Sequence, residues 1–135
     1  MSTENNHTET FWKKYIFSQD HKVIGLQYGL TALFFLLFGF ILMMIMRWQI
    51  AYPDTEIPIV GFLFENKIVD AQMYNSLGAM HGTIMVFLAV VPLVVGAFGN
   101  YCVPLQIGAP DMAYPKLNMF SYWVYFIGGV LMLSG

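Results

Sequence analysis

The stretch from Val23 to Met46 decides the fold class, and it reads VIGLQYGLTALFFLLFGFILMMIM. Its 24 residues include no charged side chain, and Lys22 and Arg47 bracket it. At 1.5 Å per residue this run forms a helix of roughly 36 Å, longer than the hydrocarbon core of a bilayer, which is about 30 Å thick. The run therefore predicts a transmembrane helix.

The composition of the whole chain agrees with a membrane protein. Apolar types make up 58% of the 135 residues and charged types 10%, whereas soluble domains carry about 25% charged residues. The net charge of −2 argues against a nucleic-acid partner, which would need a basic face. The single cysteine, Cys102, excludes an intrachain disulfide framework and a cysteine-based zinc site.

Two further apolar runs follow. Leu77 to Leu105 is long enough to span, and Pro92 should kink it, which membrane helices tolerate. The last run has 17 residues from Met119 and covers about 25 Å, slightly less than a full crossing, with no flanking charge. We expect an all-α integral membrane helical bundle with two full transmembrane helices and a third that is cut off.

The expected organisation has six parts. They are an inner N-terminal segment (1–22), transmembrane helix 1 (23–47), an outer loop (48–74), transmembrane helix 2 (75–105), an inner connector (106–117) and the start of transmembrane helix 3 (118–135). Four lysines flank the spans on the N-terminal and connector side, against Arg47 and Lys67 in the loop, so the positive-inside rule places the N-terminus inside. Within the loop, Ile57 to Phe64 is expected to be an edge strand or an interfacial loop.

His81 lies about one turn inside the second span, near its outer end. An ionisable residue in a lipid-embedded helix is a functional hypothesis by default, and a neutral imidazole is a good axial ligand for haem iron. Gly82 leaves the adjacent backbone bare, so that a flat macrocycle could approach. The alternative is a histidine that bonds to a neighbouring helix. His7 and His21 belong to the opposite side of the membrane and do not complete a metal site.

Three other polar residues allow two interpretations each. Asp111, in the inner connector, could collect protons from water, or it could be a solvated loop carboxylate or a helix cap. Arg47 could donate hydrogen bonds to a cofactor, or it could extend to the lipid headgroups. Tyr74, seven residues before His81, could serve the same site or belong to an interfacial aromatic belt.

Asn100, Asn118 and Ser121 lie near the inner ends of the second and third runs. Asn118 and Ser121 are three residues apart, so they share one helix face. These amides and the hydroxyl could order a file of water molecules, or they could join helices by hydrogen bonds.

Several long motifs in the chain resemble the beginning of subunit I of the haem–copper terminal oxidases. They are DHKVIG at Asp20 to Gly25, MHG at Met80 to Gly82 and FGNYCVPLQIGAPDMAYPKLN at Phe98 to Asn118, followed by Ser121-Tyr122-Trp123. The resemblance covers residues 18–135, nearly the whole chain, and the motifs occur in the family's order.

The resemblance implies a role for each candidate residue. His81 matches an axial ligand of the low-spin haem, and Arg47 matches the arginine that contacts the formyl group of haem A. Tyr74 matches a tyrosine near the same haem. Asp111 matches the mouth of the D proton pathway, and the polar residues just inside it are matched by Asn100, Asn118 and Ser121.

The resemblance also implies cofactors and partners outside the chain. The high-spin haem and copper B would be bound by residues that this chain lacks, so alone it could not reduce oxygen. The implied partners are the remainder of subunit I, subunit II with its dicopper centre, subunit III, cytochrome c as electron donor and the lipid bilayer. The implied location is a bacterial plasma membrane, with the N-terminus cytoplasmic.

The chain departs from the family in ways that bear on the electron donor. Gln49 replaces a glutamate that helps to hold calcium or sodium in many members, so no such site is expected. Quinol-oxidising members tend to carry polar residues where this chain has Phe38, Leu42, Met73 and Ser76. This favours cytochrome c over quinol. A third hypothesis is a small accessory membrane subunit without a cofactor, in which His81 only bridges helices.

Overall fold

The described part of the chain folds mainly into three long helices. The computed structural model describes residues 11–58, 61–63 and 68–134. The helices are α1 (His21–Ala51), α2 (Ala71–Ile107) and α3 (Pro115–Leu133). A short helical segment, Trp12–Ile16, precedes them, and a single 3₁₀ turn, Gly61–Leu63, lies in the loop between α1 and α2.

The loop between α1 and α2 differs from one of the two expectations for it. Within the described part of residues 57–64 there is a helical turn and no strand, so the edge-strand interpretation is wrong there. Residues 59, 60 and 64 lie outside the described residues. Ile57 and Val69 are buried against the helices, so the two ends of the loop are packed onto the bundle.

α1 and α2 each begin at an aspartate cap. The Asp20 carboxylate accepts a hydrogen bond from the Lys22 N–H at 2.9 Å, and the Asp70 carboxylate accepts one from the Met73 N–H at 2.7 Å. Such caps satisfy backbone donors that have no partner within the helix. At the other end of α1, Pro53 follows Tyr52 and disfavours further helix.

α2 is continuous but irregular in its middle. Pro92 has no N–H to donate, and the helix widens around it into turns that bond five residues back, over Ile84–Val90 and Pro92–Gly99. The Val91 N–H, for example, donates to the Val86 carbonyl. α2 ends at Gly108, whose positive φ of 70° favours glycine, with the Ala109 N–H bonded to the Pro104 carbonyl.

α1 is the central helix and packs against both others. A Cβ at Gly25 would lie 3.2 Å from the Ala97 carbonyl of α2, and a Cβ at Gly129 of α3 would clash with the Phe35 ring. Glycine at these points lets the helices approach closely, which is how membrane helices gain packing energy. Two buried clusters result, one around Phe35, Leu42, Ile45, Leu77, Ile84 and Leu88, and one around Ile24, Tyr28, Ala97 and Tyr122.

The outward faces of the helices are apolar. α1 and α2 are both long and apolar enough to cross a membrane. In the most apolar 18-residue segment of each helix, only 28% and 33% of the segment, respectively, is buried inside the chain. Leu26, Leu30, Leu33 and Leu37 form an exposed stripe along α1 at helical spacing. This confirms the predicted fold class: an all-helical chain with two long apolar helices suited to membrane spans.

Candidate functional site

His81 lies on α2 and is tied to α1 by its imidazole ring. Its Nδ1 lies 2.8 Å from the carbonyl oxygen of Gly39. Because a carbonyl only accepts, the proton of a neutral imidazole belongs on Nδ1, and Nε2 keeps a free lone pair. Nε2 has no hydrogen-bond partner among the described residues. The ring is therefore held in one orientation with Nε2 free.

The backbone next to His81 is open at Gly82. A Cβ built on Gly82 meets no atom within 4 Å among the described residues. Metal-ligating histidines commonly donate their other ring N–H to a backbone carbonyl, which fixes the tautomer and raises the basicity of the ligating nitrogen. The bare backbone and the held imidazole together fit axial ligation of a haem.

Arg47 and Tyr74, the other two residues predicted for this site, make no direct bond to His81. Tyr74 lies on the same face of α2 as His81, since the two are seven residues apart, and it packs partly buried against the larger cluster. Arg47 is exposed near the C-terminal end of α1 and has no ion pair or hydrogen bond within the described part of the chain.

Asp111 lies in the connector between α2 and α3, at the opposite end of the bundle. Its side chain is 44% exposed. One carboxylate oxygen, Oδ1, accepts a hydrogen bond from the Met112 N–H at 2.7 Å and lies 3.1 Å from Nδ1 of His21, the first residue of α1. The carboxylate is thus bound to a residue 90 positions earlier while it stays accessible to water.

The three other polar residues predicted for the inner end line a single cavity. This cavity has a volume of about 490 Å³. Asn100 of α2 and both Asn118 and Ser121 of α3 contribute to its wall, together with Tyr28 of α1 and Met112, the neighbour of Asp111. A second cavity of about 360 Å³ shares Met112, Asn118 and Ser121 with it. The structure therefore brings these predicted residues together beside the aspartate.

Hydrogen bonds orient the polar groups of this cavity. The Ser121 hydroxyl donates to the Asn118 carbonyl at 2.7 Å, so the Tyr28 hydroxyl, 3.0 Å away, must be the donor to Ser121 Oγ. The amide of Asn100 is buried and donates to the Gly96 carbonyl of its own helix at 2.6 Å. Asn100 thus does not bridge helices among the described residues, whereas Tyr28 and Ser121 join α1 to α3.

Two residues of the inner site were not among the predicted ones. From the sequence, His21 is expected on the opposite side of the membrane from His81 with no role of its own, and Tyr28 carries no expectation of a site role. The signal for His21 was present, because the charge distribution put it on the same side of the membrane as Asp111. Tyr28 gave no comparable signal, because its contact with Ser121 depends on how α1 and α3 pack.

The helices and the two polar sites first indicate a class of protein. It is an all-helical chain with two long apolar helices suited to membrane spans, with an imidazole held by a backbone carbonyl at one end and a hydrogen-bonded carboxylate near a mostly apolar cavity at the other. Residues 23–135 match the family described as cytochrome c and quinol oxidase polypeptide I. The chain belongs to this family.

Individual relatives agree with the family match. The chain is 42% identical over 128 residues to the alternative cytochrome c oxidase subunit 1 of Bradyrhizobium diazoefficiens, covering 95% of this chain and 20% of that one. It is 44% identical over 126 residues to cytochrome c oxidase subunit 1 of Thermostichus vulcanus, covering 91% and 21%. A putative cytochrome c oxidase subunit 1-beta of Streptomyces coelicolor is 47% identical over 116 residues, covering 86% and 18%. The chain spans about a fifth of the length of these relatives.

Proposed function

We propose that this chain is the N-terminal part of the catalytic subunit of a proton-pumping cytochrome c oxidase, which reduces oxygen to water. In this proposal the chain supplies one axial ligand of the low-spin haem and the entrance of the D proton pathway. The observation that carries the proposal is the bond between His81 Nδ1 and the Gly39 carbonyl, in a chain of the oxidase subunit I family.

The outer site would serve electron transfer. The Gly39 carbonyl orients the imidazole, and His81 Nε2 would hold the iron of a low-spin haem, haem A by the Arg47 match. When bound, that haem supplies a one-electron redox centre. Arg47 would donate hydrogen bonds to a substituent at the edge of the ring, and Tyr74 would pack beside it. The hydrogen bond to Gly39 supports this role because it leaves Nε2 free.

The inner site would serve proton uptake. Asp111 takes protons from water at the membrane edge, and Asn118, Ser121 and Asn100 order water molecules behind it. The shared cavity supports this role, since Asn100 of α2 and two residues of α3, Asn118 and Ser121, place polar groups in a mostly apolar lining that reaches Met112, the neighbour of Asp111. A site for ordered water needs such polar partners and enough volume, and about 490 Å³ is enough for several molecules.

The proposed electron donor is cytochrome c. The family includes quinol oxidases, but Phe38, Leu42 and Met73 cannot form charge-assisted hydrogen bonds to a quinone head. Ser76 donates its hydroxyl to the Gln72 carbonyl of its own helix at 3.1 Å. The alternative of a cofactor-free accessory subunit is disfavoured, because the chain belongs to the subunit I family.

The remaining components of the enzyme lie outside this chain in the proposal. The rest of subunit I would bind the high-spin haem and copper B, and subunits II and III would complete the complex. The relatives named above are bacterial, which supports a bacterial plasma membrane as the location. The excess of lysines at the inner end supports a cytoplasmic N-terminus.

The proposal is tested by a reduced-minus-oxidised optical spectrum of the purified oxidase that carries His81→Ala. We expect the low-spin haem band to disappear while the subunit composition of the complex stays normal. Met80→Leu, a volume-conserving change at the neighbouring position, is the matched control and should keep the band. An unchanged band in assembled His81→Ala would refute the assignment.

A further inference from the structure

We propose that His21 is a positioning residue for proton uptake: its imidazole fixes the Asp111 carboxylate in the connector, next to Met112 of the cavity wall, with one carboxylate oxygen held and the other free. This inference rests on the proposed role of Asp111. It concerns a residue that lies 90 positions away in the sequence and on another helix.

The side chain of His21 is held rigidly. It is the first residue of α1, and only 3% of its side chain is exposed, although it lies at a helix end. The backbone around it is held by the Asp20 cap, which accepts from the Lys22 N–H. A buried ring on a capped helix end has little freedom to turn, so it is a fixed donor toward the connector.

Two carboxylates lie near His21 Nδ1, and the geometry favours Asp111 as the acceptor. Nδ1 is 3.1 Å from Asp111 Oδ1 and 3.7 Å from Asp20 Oδ1. The longer distance is beyond hydrogen-bond range. Oδ1 of Asp20 already accepts the Lys22 N–H at 2.9 Å. The Nδ1–H of His21 therefore donates to Asp111, and Asp20 serves the helix cap.

The consequence for Asp111 is that its two carboxylate oxygens become different. Oδ1 accepts from both the Met112 N–H and His21, whereas Oδ2 has no hydrogen-bond partner among the described residues. Two donors on one oxygen, one from the connector and one from α1, restrict rotation of a side chain that is otherwise 44% exposed. The free oxygen is then presented to water and can take up the proton that enters the cavity.

The donor role is tested with three substitutions of His21 in the intact oxidase. His21→Asn keeps a donor nitrogen one bond from Cγ, where Nδ1 stands, and His21→Gln moves that nitrogen one bond farther out. His21→Leu removes the donor and keeps an apolar side chain. We expect oxygen turnover to fall on the order of 10-fold in His21→Leu, the usual effect of losing a hydrogen bond to a charged group. His21→Asn should retain most of the turnover, and His21→Gln should lie between the two.

A double variant separates positioning from general disruption. In an Asp111→Asn background, His21→Leu should cause no further loss, because residues that act as a unit are not additive. The low-spin haem band should be normal in every variant. Equal turnover in His21→Asn and His21→Leu, or a full additional loss in the double variant, would overturn the inference. If His21→Leu fails to assemble, the test is the comparison of His21→Asn with His21→Gln. Higher oxygen turnover in His21→Asn supports the inference, and higher turnover in His21→Gln refutes it.

Failure of this inference is distinguishable from failure of the proposed function. If Asp111→Asn itself leaves turnover and proton pumping intact, the role of Asp111 is wrong. If Asp111→Asn is slow but His21→Leu matches the parent oxidase, only the positioning role of His21 is wrong.

Discussion

The two ends of this helix bundle are built in opposite ways. At the end that carries His81, called the outer end after its predicted side, a single hydrogen bond from His81 to the Gly39 backbone holds one side chain and leaves its other nitrogen open. At the inner end, side-chain bonds and a shared cavity connect α1, the connector and α3 around Asp111, Ser121 and Tyr28. The outer end offers one ligand, whereas the inner end is a network within the chain.

The difference follows from the chemistry each end would perform. A metal ligand needs a fixed ring with a bare nitrogen, and one carbonyl is enough to provide it. A carboxylate exposed to water rotates freely unless several donors confine it, so proton uptake at a defined point needs a network. The outer site would therefore depend on groups beyond this chain, and the inner site would be assembled largely from the chain's own residues.

The largest expected effect comes from removing the outer ligand. His81→Ala should lower oxygen turnover of the oxidase more than about 100-fold, beyond the 10- to 100-fold typical of losing a group that supports a metal ligand. Oxygen consumption with reduced cytochrome c measures this effect. Turnover within a few-fold of the parent enzyme would show that electrons do not pass through a centre held by His81.

The next largest effect tests the inner site by itself. Asp111→Asn should slow turnover and proton pumping on the order of 100-fold, since a positioned proton-transfer group contributes about that much. Proton release by the oxidase in lipid vesicles measures this effect. The matched control is Asp54→Asn in the outer loop, where φ is 60° and asparagine is well tolerated. Equal loss in both variants would show that the effect is not specific to the inner end.

A substitution between the helices should disturb the inner network without removing any of its polar groups. In Gly96→Ala the new Cβ would stand 2.5 Å from the Tyr28 ring, so the ring must move and its bond to Ser121 should break. Overpacking of this kind costs about 1–3 kcal/mol, measurable as a lower thermal denaturation temperature. Gly128→Ala, which meets nothing within 4 Å among the described residues, should be close to neutral. A stable Gly96→Ala with normal pumping would contradict the packing described above.

The smallest effect concerns one bond between α2 and α3. The Tyr125 hydroxyl donates to the Leu88 carbonyl at 2.7 Å, and Tyr125→Phe removes it. Interhelical hydrogen bonds in membranes average about 0.6 kcal/mol, so only a small drop in thermal stability is expected, with unchanged turnover. Tyr101→Phe is the control, because the Tyr101 hydroxyl has no hydrogen bond in the described part of the chain. Equal stability of the two variants would show that this bond contributes nothing.

The fold class was predictable because it depends on local patterns. An uncharged run such as Val23 to Met46 predicts both a helix and a membrane span. Pro92 predicts a kink, and α2 is irregular on both sides of it. The edge-strand alternative for Ile57 to Phe64 was wrong in the described part, because a short apolar piece that contains Pro58 and Gly61 gives no reliable period. Its apolar residue Ile57 packs onto the bundle instead.

The candidate residues were predictable one at a time, but their partners were not. Asn118 and Ser121 share a helix face by spacing, and Ser121 does bond to the Asn118 carbonyl. The pairing of His21 with Asp111 joins residues 90 positions apart. No periodicity in the sequence predicts this contact, because it depends on the position that the connector takes when α2 packs on α1.

The most direct test of the account is an electron paramagnetic resonance spectrum of the oxidised oxidase, recorded side by side for His81→Ala and Asp111→Asn. The central claim is that this chain carries a haem ligand at one end and a proton entrance at the other. It predicts that the low-spin haem signal is lost in His81→Ala and unchanged in Asp111→Asn. A low-spin signal that survives in His81→Ala, or that is lost in Asp111→Asn, would contradict it.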